Sequence, residues 1–341
     1  MSGTSLDGLD IAYCKFVVDK DWSFEILHFN TLNYDSVFRE KLRQAPFQKE
    51  SDIKKLSYEF GCLMANELKQ FVNRYAITEI DAVSTHGHTV FHQPDKGITL
   101  QIGDPKPIYD VIQKPVIYDF RSQDVALGGQ GAPLVPLVDK LLFADYDACL
   151  NLGGFSNISV KSNNNIIAYD ICPVNIVLNK YSRSIGFEFD MEGQISKSGN
   201  INKHLLKELN EISYYHLTHP KSLGLEWVEN KIFPLIDSFK ISTKDILRTY
   251  VEHIAVQISN NLKGDNLKIL ISGGGSKNKF LMERIKQLSK KNLGIISENI
   301  TDYKEALIFG FLGVLRIRKE NNCLKSVTGA DKDHSSGVIF E

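Results

Sequence analysis

Cysteine is sparse and carries no spacing motif. The five thiols, Cys14, Cys62, Cys149, Cys172 and Cys323, are odd in number, scattered, and form no CxxC pair. That argues against a disulfide framework and for reduced thiols in a cytoplasm. An excess of either charge sign is also missing. A net charge of −1 gives no electrostatic footprint for nucleic acid and no polybasic stretch for a membrane surface. No apolar run approaches the length of a membrane span, and no signal peptide is read ahead of the first motif. Low-complexity linkers and short-period repeats are absent as well. What remains is an ordinary globular composition, 43% hydrophobic and 24% charged, over 341 residues, enough for two domains with sizeable cores.

Pattern along the chain predicts mixed elements. Ile11–Val18 and Ser23–Leu27 flank an Asp-Lys-Asp turn and read as a hairpin. Ser51 reads as the N-cap of a long amphipathic helix with Ile53, Leu56, Phe60, Met64, Leu68 and Phe71 on one face. Strands are expected at Asp81–Thr85, Ile98–Ile102, Val116–Asp119, Ala148–Leu152, Ile158–Lys161, Ile166–Tyr169 and Lys268–Ile271. Helices are expected over 174–184, 201–212, 243–262, 278–290 and 302–319. Strand groups followed by helices, twice over, argue for two α/β lobes, with an approximate boundary that gives 1–135 and 136–341.

Three glycine-rich turns interrupt this pattern: Ser2–Asp10, Asn151–Asn157 and Ser272–Ser276. Backbone N–H groups at turns and helix N-termini make anion sites, so three such turns suggest a nucleotide gripped between two lobes. The first offers Gly3, Thr4, Ser5, Leu6, Asp7, Gly8, Leu9 and Asp10, with Asp7 as a carboxylate able to hold Mg2+ through water. It lacks the lysine of a Walker A loop, which disfavours a P-loop NTPase. The others offer Gly153, Gly154 and Asn157, and Gly273, Gly274 and Gly275, although each turn alone is also a plain hairpin or backbone approach. The first turn should be fed by a preceding strand, and none is read before Ser2.

Polar side chains gather elsewhere. His86, His88 and His92 allow a zinc reading, but sugar contacts or core packing explain imidazoles equally well, and no cysteine or acidic pair is near in sequence. Arg121, between Asp119 and Asp124 at a strand end, suits a sugar or carboxylate site or a structural ion-pair corner. Asp170 closes an expected strand where a general base would sit, or else begins a helix.

Together these segments resemble the anhydro-N-acetylmuramic acid kinase family, of the sugar kinase/hsp70/actin-like fold. The resemblance rests on Met1-Ser-Gly-Thr-Ser-Leu-Asp-Gly8, Thr85-His-Gly87, Thr89 and His92, Asp119-Phe-Arg121 and Asp124-Val-Ala126. It continues through Gly128-Gly-Gln-Gly-Ala-Pro-Leu-Val-Pro136, the Asn151–Ile158 turn, Gly273–Gly275 and Val327-Thr-Gly-Ala330, end to end and in order. It implies an α/β, two-lobed actin-like ATPase (ribonuclease H-like) architecture with a nucleotide cleft between lobes. It implies an ATP- and Mg2+-dependent enzyme that opens the 1,6-anhydro ring of anhydro-N-acetylmuramic acid with water and phosphorylates O6, in peptidoglycan recycling in a bacterial cytoplasm. Residues 3–10 would bind ATP phosphates, Asp170 would activate water, and Glu305 would orient the sugar. The sugar-side candidates are His86, His92, Arg121, Asp124, Gln130, Asn175 and Glu305. A small sugar is the expected partner, with no nucleic acid and no membrane; the family suggests a homodimer, and ligand-driven lobe closure is expected.

The chain departs from the family at Asp170-Ile-Cys-Pro-Val-Asn175, where Asp-Thr-Gly-Pro-Gly-Asn is usual, so Cys172 and Val174 add side chains beside the expected base. His88 stands where Gln is common. A kinase of a related amino sugar, or a non-catalytic sugar- or nucleotide-binding homologue, are the alternative readings.

Overall fold

The Asp19-Lys20-Asp21 turn folds as read: β1 (Gly8–Val18) pairs antiparallel with β2 (Trp22–Asn33). This computed structural model describes residues 1–341 except 4, 5, 7, 163, 164, 220 and 265. A helix over Glu50–Arg74 follows, burying Ile53, Leu56, Phe60, Met64 and Phe71. Ser51 is not its cap. Lys49 takes that position without a side-chain bond, and Glu50 and Asp52 place negative charge in the first turn, where the helix dipole favours it.

Only Val83–Ser84 of the expected Asp81–Thr85 run is strand (β3). β4 (His88–Gln93), unforeseen as a strand, pairs antiparallel with β5 (Ile98–Ile102), and left-handed Gly97 turns the chain just before β5. β6 (Val116–Tyr118) lies parallel to β3 and antiparallel to the C-terminal strand Val338–Phe340. The β1–β2 hairpin pairs with no third strand among the described residues. A cavity of about 890 Å³ lies against Ile11 and Tyr13 of β1, Val83 of β3, and Met64, Phe71 and Phe309.

β7 (Ala148–Leu152), β8 (Phe155–Ser162) and β9 (Asn165–Pro173) form an antiparallel meander. β10 (Lys268–Ser272) then lies parallel to β7, and β11 (Asn292–Ile295) parallel to β10. The spatial order β11-β10-β7-β8-β9, with this mix of directions, is the ribonuclease H-like sheet of actin-like ATPases. Helices Asn175–Arg183, Lys203–Asn210, Thr243–Asn261 and Lys279–Ser289 fall within the expected spans. Helix Thr243–Asn261 buries Leu247, Tyr250, Val251, Ile254 and Ile258 in a core shared with Leu150, Leu152, Ile171 and Ile271 of the strands.

The chain divides into two compact units, Met1–Leu142 with Tyr303–Glu341, and Phe143–Asp302. This differs from lobes of 1–135 and 136–341. The C-terminal segment belongs with the first unit because Val338–Phe340 completes the β6 sheet and Phe311 packs on Phe16 and Trp22 of the hairpin.

Candidate functional site

In the first unit, the Ser2–Asp10 turn is closed by an antiparallel bridge between Ser2 and Leu9 and by Asp10 N–H donating to Met1 O at 2.9 Å. Thr4, Ser5 and Asp7 lie outside the described residues, and with them the expected metal carboxylate and two hydroxyls. Leu6 has a left-handed φ of 59° and donates its N–H to Gly3 O. The Leu6 and Leu9 side chains are core, so a ligand at this turn would meet only their backbone. Gly8 is required: a Cβ there would fall 2.4 Å from Leu32 O. Asp10 is half-buried and accepts from the Thr31 hydroxyl at 2.7 Å.

The same unit assembles a polar wall. Arg121 Nε donates to His86 Nε2 at 2.9 Å, and its Nη1 donates to Gly131 O at 2.6 Å. Because His86 Nε2 accepts, Nδ1 carries the proton and donates to Gly87 O at 3.2 Å. Burial holds the His86 pKa well below the usual histidine value, and the Arg121 charge adds to this. His86 therefore stays neutral and anchors the guanidinium. His92 belongs to the wall, since a Cβ on Gly131 would lie 3.4 Å from its ring; its pKa too is lowered by burial and by Arg121. Its Nδ1 lies 3.2 Å from the Thr99 hydroxyl. Glu305 is reached by solvent, yet protein crowds its carboxyl enough to raise the pKa, Asp10 adding to this and the Met1 ammonium and Arg121 opposing it. Gln130 is exposed, with its backbone N–H held by Thr328 O at 2.8 Å.

Asp124 faces the protein interior. It is wholly buried; one oxygen accepts from Gly131 N–H and the other from the Thr328 hydroxyl, each at 2.7 Å. It shapes the loop that presents Gly131. The three histidines do not converge. His88 is buried, and its Nδ1 lies 3.2 Å from the Ser2 hydroxyl, which also accepts from Tyr34 OH at 2.7 Å. Burial lowers the His88 pKa to about 4.

In the second unit the other two glycine turns meet. Gly273 has φ 87°, and a Cβ there would lie 2.6 Å from Asn151 Oδ1 and 2.7 Å from the Leu152 carbonyl carbon. At Gly275 a Cβ would come within 2.9 Å of the Leu152 side chain. Asn175, expected on the sugar side, belongs to this cluster: its amide donates to Leu152 O at 3.2 Å and its N–H to Gly153 O at 3.3 Å. Both bonds help hold the turns. Such a glycine cradle lets backbone approach a nucleotide without side-chain obstruction.

Asp170 sits inside β9, not at its end, and pairs across the ladder with Asn157 of β8, beside a bulge at Ser156/Asn157. Directly opposed residues share a face, so Asn157 flanks the carboxylate. Asp170 Oδ2 accepts from Leu223 N–H at 2.9 Å, and its backbone carbonyl accepts from Tyr214 OH at 2.8 Å. No other donor reaches the carboxylate among the described residues. Burial raises its pKa, and the Leu223 N–H opposes the rise. Sequence patterning missed Leu223 and Tyr214 because they lie in an irregular stretch with no motif. The Cys172 and Val174 side chains are fully buried in the core, with the Ser156 hydroxyl 3.3 Å from Cys172 Sγ. The departure from family pattern is thus absorbed by packing.

The ribonuclease H-like sheet, the glycine cradle and the strand-borne carboxylate define a protein of the actin-like ATPase class. The family model described as anhydro-N-acetylmuramic acid kinase matches residues 1–341. Curated relatives of that name are similar over nearly their full length: 32% identity to the Vibrio parahaemolyticus protein (100% of this chain, 96% of the relative) and 34% to that of Mannheimia succiniciproducens (100% and 97%). A solved ROK family protein from Streptococcus pneumoniae in complex with sucrose is similar at TM-score 0.35 and 11% identity, covering 93% of this chain and 97% of that one. The chain belongs to the anhydro-N-acetylmuramic acid kinase family, and is by that membership a sugar kinase.

Proposed function

We propose that the protein is a hydrolytic kinase of anhydro-N-acetylmuramic acid, acting in peptidoglycan recycling in a bacterial cytoplasm. Supporting this beyond the family is one observation: Asp170 is a half-buried carboxylate, oriented by a single backbone N–H and flanked by Asn157. A carboxylate of raised pKa is, in its ionised form, a better proton acceptor than an ordinary one.

In the proposed reaction, Asp170 takes a proton from water as the water oxygen bonds to the anomeric carbon. The bond from that carbon to O6 breaks, and O6 bonds to the γ-phosphorus of ATP as ADP leaves. His86 and Arg121 hold the sugar wall rigid, His92 and Gln130 contact hydroxyl or acetamido groups, and Glu305 orients the ring. The turns of Gly153, Gly154 and Gly273–Gly275 would carry the nucleotide on backbone alone; at Gly273 and Gly275 an added Cβ would press on Asn151 and Leu152, so glycine is what lets the two turns pack together. Backbone of Gly3, Leu6 and Gly8 meets phosphate oxygens. Mg2+ would enter with ATP and neutralise charge on the phosphates, with Asp7 its proposed protein contact.

Asp170→Asn should lower kcat by about 10²- to 10⁴-fold while leaving sugar affinity near wild type, read by ADP release and calorimetric titration. Undiminished turnover would remove Asp170 as the base.

A further inference from the structure

Two segments far apart in sequence bring three metal-type donors together in the first unit. Cys323 and His334 form an isolated antiparallel bridge, with His334 N–H donating to Cys323 O at 3.1 Å and Cys323 N–H returning to His334 O at 3.0 Å. Residues so opposed carry their side chains on one face. Asn322 fixes the pair: its amide donates to Leu312 O and Ser336 O, and its Oδ1 accepts from Ser336 N–H. The Cys323 Sγ, a ring nitrogen of His334 and a carboxylate oxygen of Asp124 all lie within 4.8 Å of one another, and the three residues are at most 5% exposed.

The imidazole is oriented for ligation. His334 Nδ1 lies 3.1 Å from Lys332 O, and a carbonyl can only accept, so Nδ1 carries the proton. In the neutral ring the Nε2 lone pair then points inward, 3.5 Å from Asp124 Oδ1, with no hydrogen-bond partner. Two buried acceptors facing each other is unfavourable. A direct hydrogen bond between these atoms would close to about 2.8 Å. Two arms of about 2.0–2.1 Å on one tetrahedral ion instead span about 3.3 Å, near the spacing observed. The Nδ1–H···O=C bond is also the usual outer support of a metal-bound histidine.

We propose that Asp124, Cys323 and His334 bind a thiophilic divalent cation of the zinc class in tetrahedral geometry, one position being left for water. Thiolate, carboxylate and neutral imidazole would together neutralise the dication. Burial and the Asp124 charge push the Cys323 thiol up to about 12, so ion binding would displace its proton. The ion would tie the C-terminal segment to the loop that places Gly131, giving it a structural role. A nucleophilic role for this triad is excluded by burial, since Cys323 is only 2% exposed.

The test is metal analysis of the full-length protein, purified with zinc present and then dialysed. About one zinc per chain is expected, falling at least tenfold in both Cys323→Ala and His334→Gln. Substituting Co2+ into chelator-stripped wild type should give a near-ultraviolet thiolate-to-cobalt band that Cys323→Ala lacks. Should either variant fail to fold, the cobalt spectrum of wild type decides alone. Absence of that band, or zinc content unchanged in both folded variants, would overturn the proposal.

Discussion

Burial, more than proximity of charge, sets the protonation of the important side chains. His88 is held near a pKa of about 4 against 6.5 when solvated, and His253, between Asn210 and Tyr215, near about 3. Each stays neutral in the folded protein while the unfolded chain takes up a proton below about 6.5. Stability is therefore full above that pH and is lost as pH falls towards the folded value. At pH 5 the loss is about 2 kcal/mol for each histidine. Urea unfolding of wild type and His88→Gln at neutral pH and at pH 5 should show the variant losing less; equal losses would contradict this. Asp170 runs in the other sense. Its pKa is raised, so the acid limb of kcat/KM should lie above the ordinary aspartate value of 3.8, activity falling as pH drops through it. Leu223→Pro, which removes the stabilising N–H, should move that limb further up. A limb unmoved in the variant would show that this N–H does not tune the base. Motif reading puts Arg121 and His86 just beyond strand ends, where the fold has them, and expects Asp170 at a strand end, whereas it lies inside β9. It could not reveal that Asp124 is wholly buried, since both its partners, Gly131 N–H and Thr328, come from tertiary approach.

At the scale of elements, local signals were strong where period and turn chemistry agreed. The first hairpin, the Glu50–Arg74 helix and the strand running into three glycines all follow from them. β4 carries little strand signal because His88, His92 and Gln93 are polar and the alternation of Val90 in and Phe91 partly out is short. The length of β9 was underread because Asp170 and Pro173 look like terminators, yet Asp170 stays in the ladder opposite Asn157. What no pattern showed is that the Gly153 and Gly273 turns touch. Gly273→Ala tests that contact: at φ 87° and ψ 159°, a region open essentially to glycine alone, an alanine costs about 1–3 kcal/mol, and its Cβ would press on Asn151 and Leu152. The melting temperature should fall and the KM for ATP rise several-fold, while the sugar KM stays near wild type. An unchanged ATP KM in a folded variant would separate this turn from the nucleotide.

For the whole molecule, two α/β units were legible from repeated strand-then-helix grouping, but their membership was not. Chain order suggested a simple cut, whereas Val338–Phe340 returns to pair with β6, an antiparallel contact across more than two hundred residues that sequence period cannot register. The same return carries Cys323 and His334 to Asp124. In the proposed reaction one enzyme adds water to the anomeric carbon and phosphorylates the freed O6. Incubating the protein with anhydro-N-acetylmuramic acid and magnesium-ATP in oxygen-18 water, followed by mass spectrometry of the sugar product, tests it most directly. A hydrolytic kinase gives sugar-dependent ADP release and a phosphorylated sugar carrying one heavy oxygen at the anomeric carbon. ADP release without sugar dependence, or a phosphorylated product without the heavy oxygen, would contradict it.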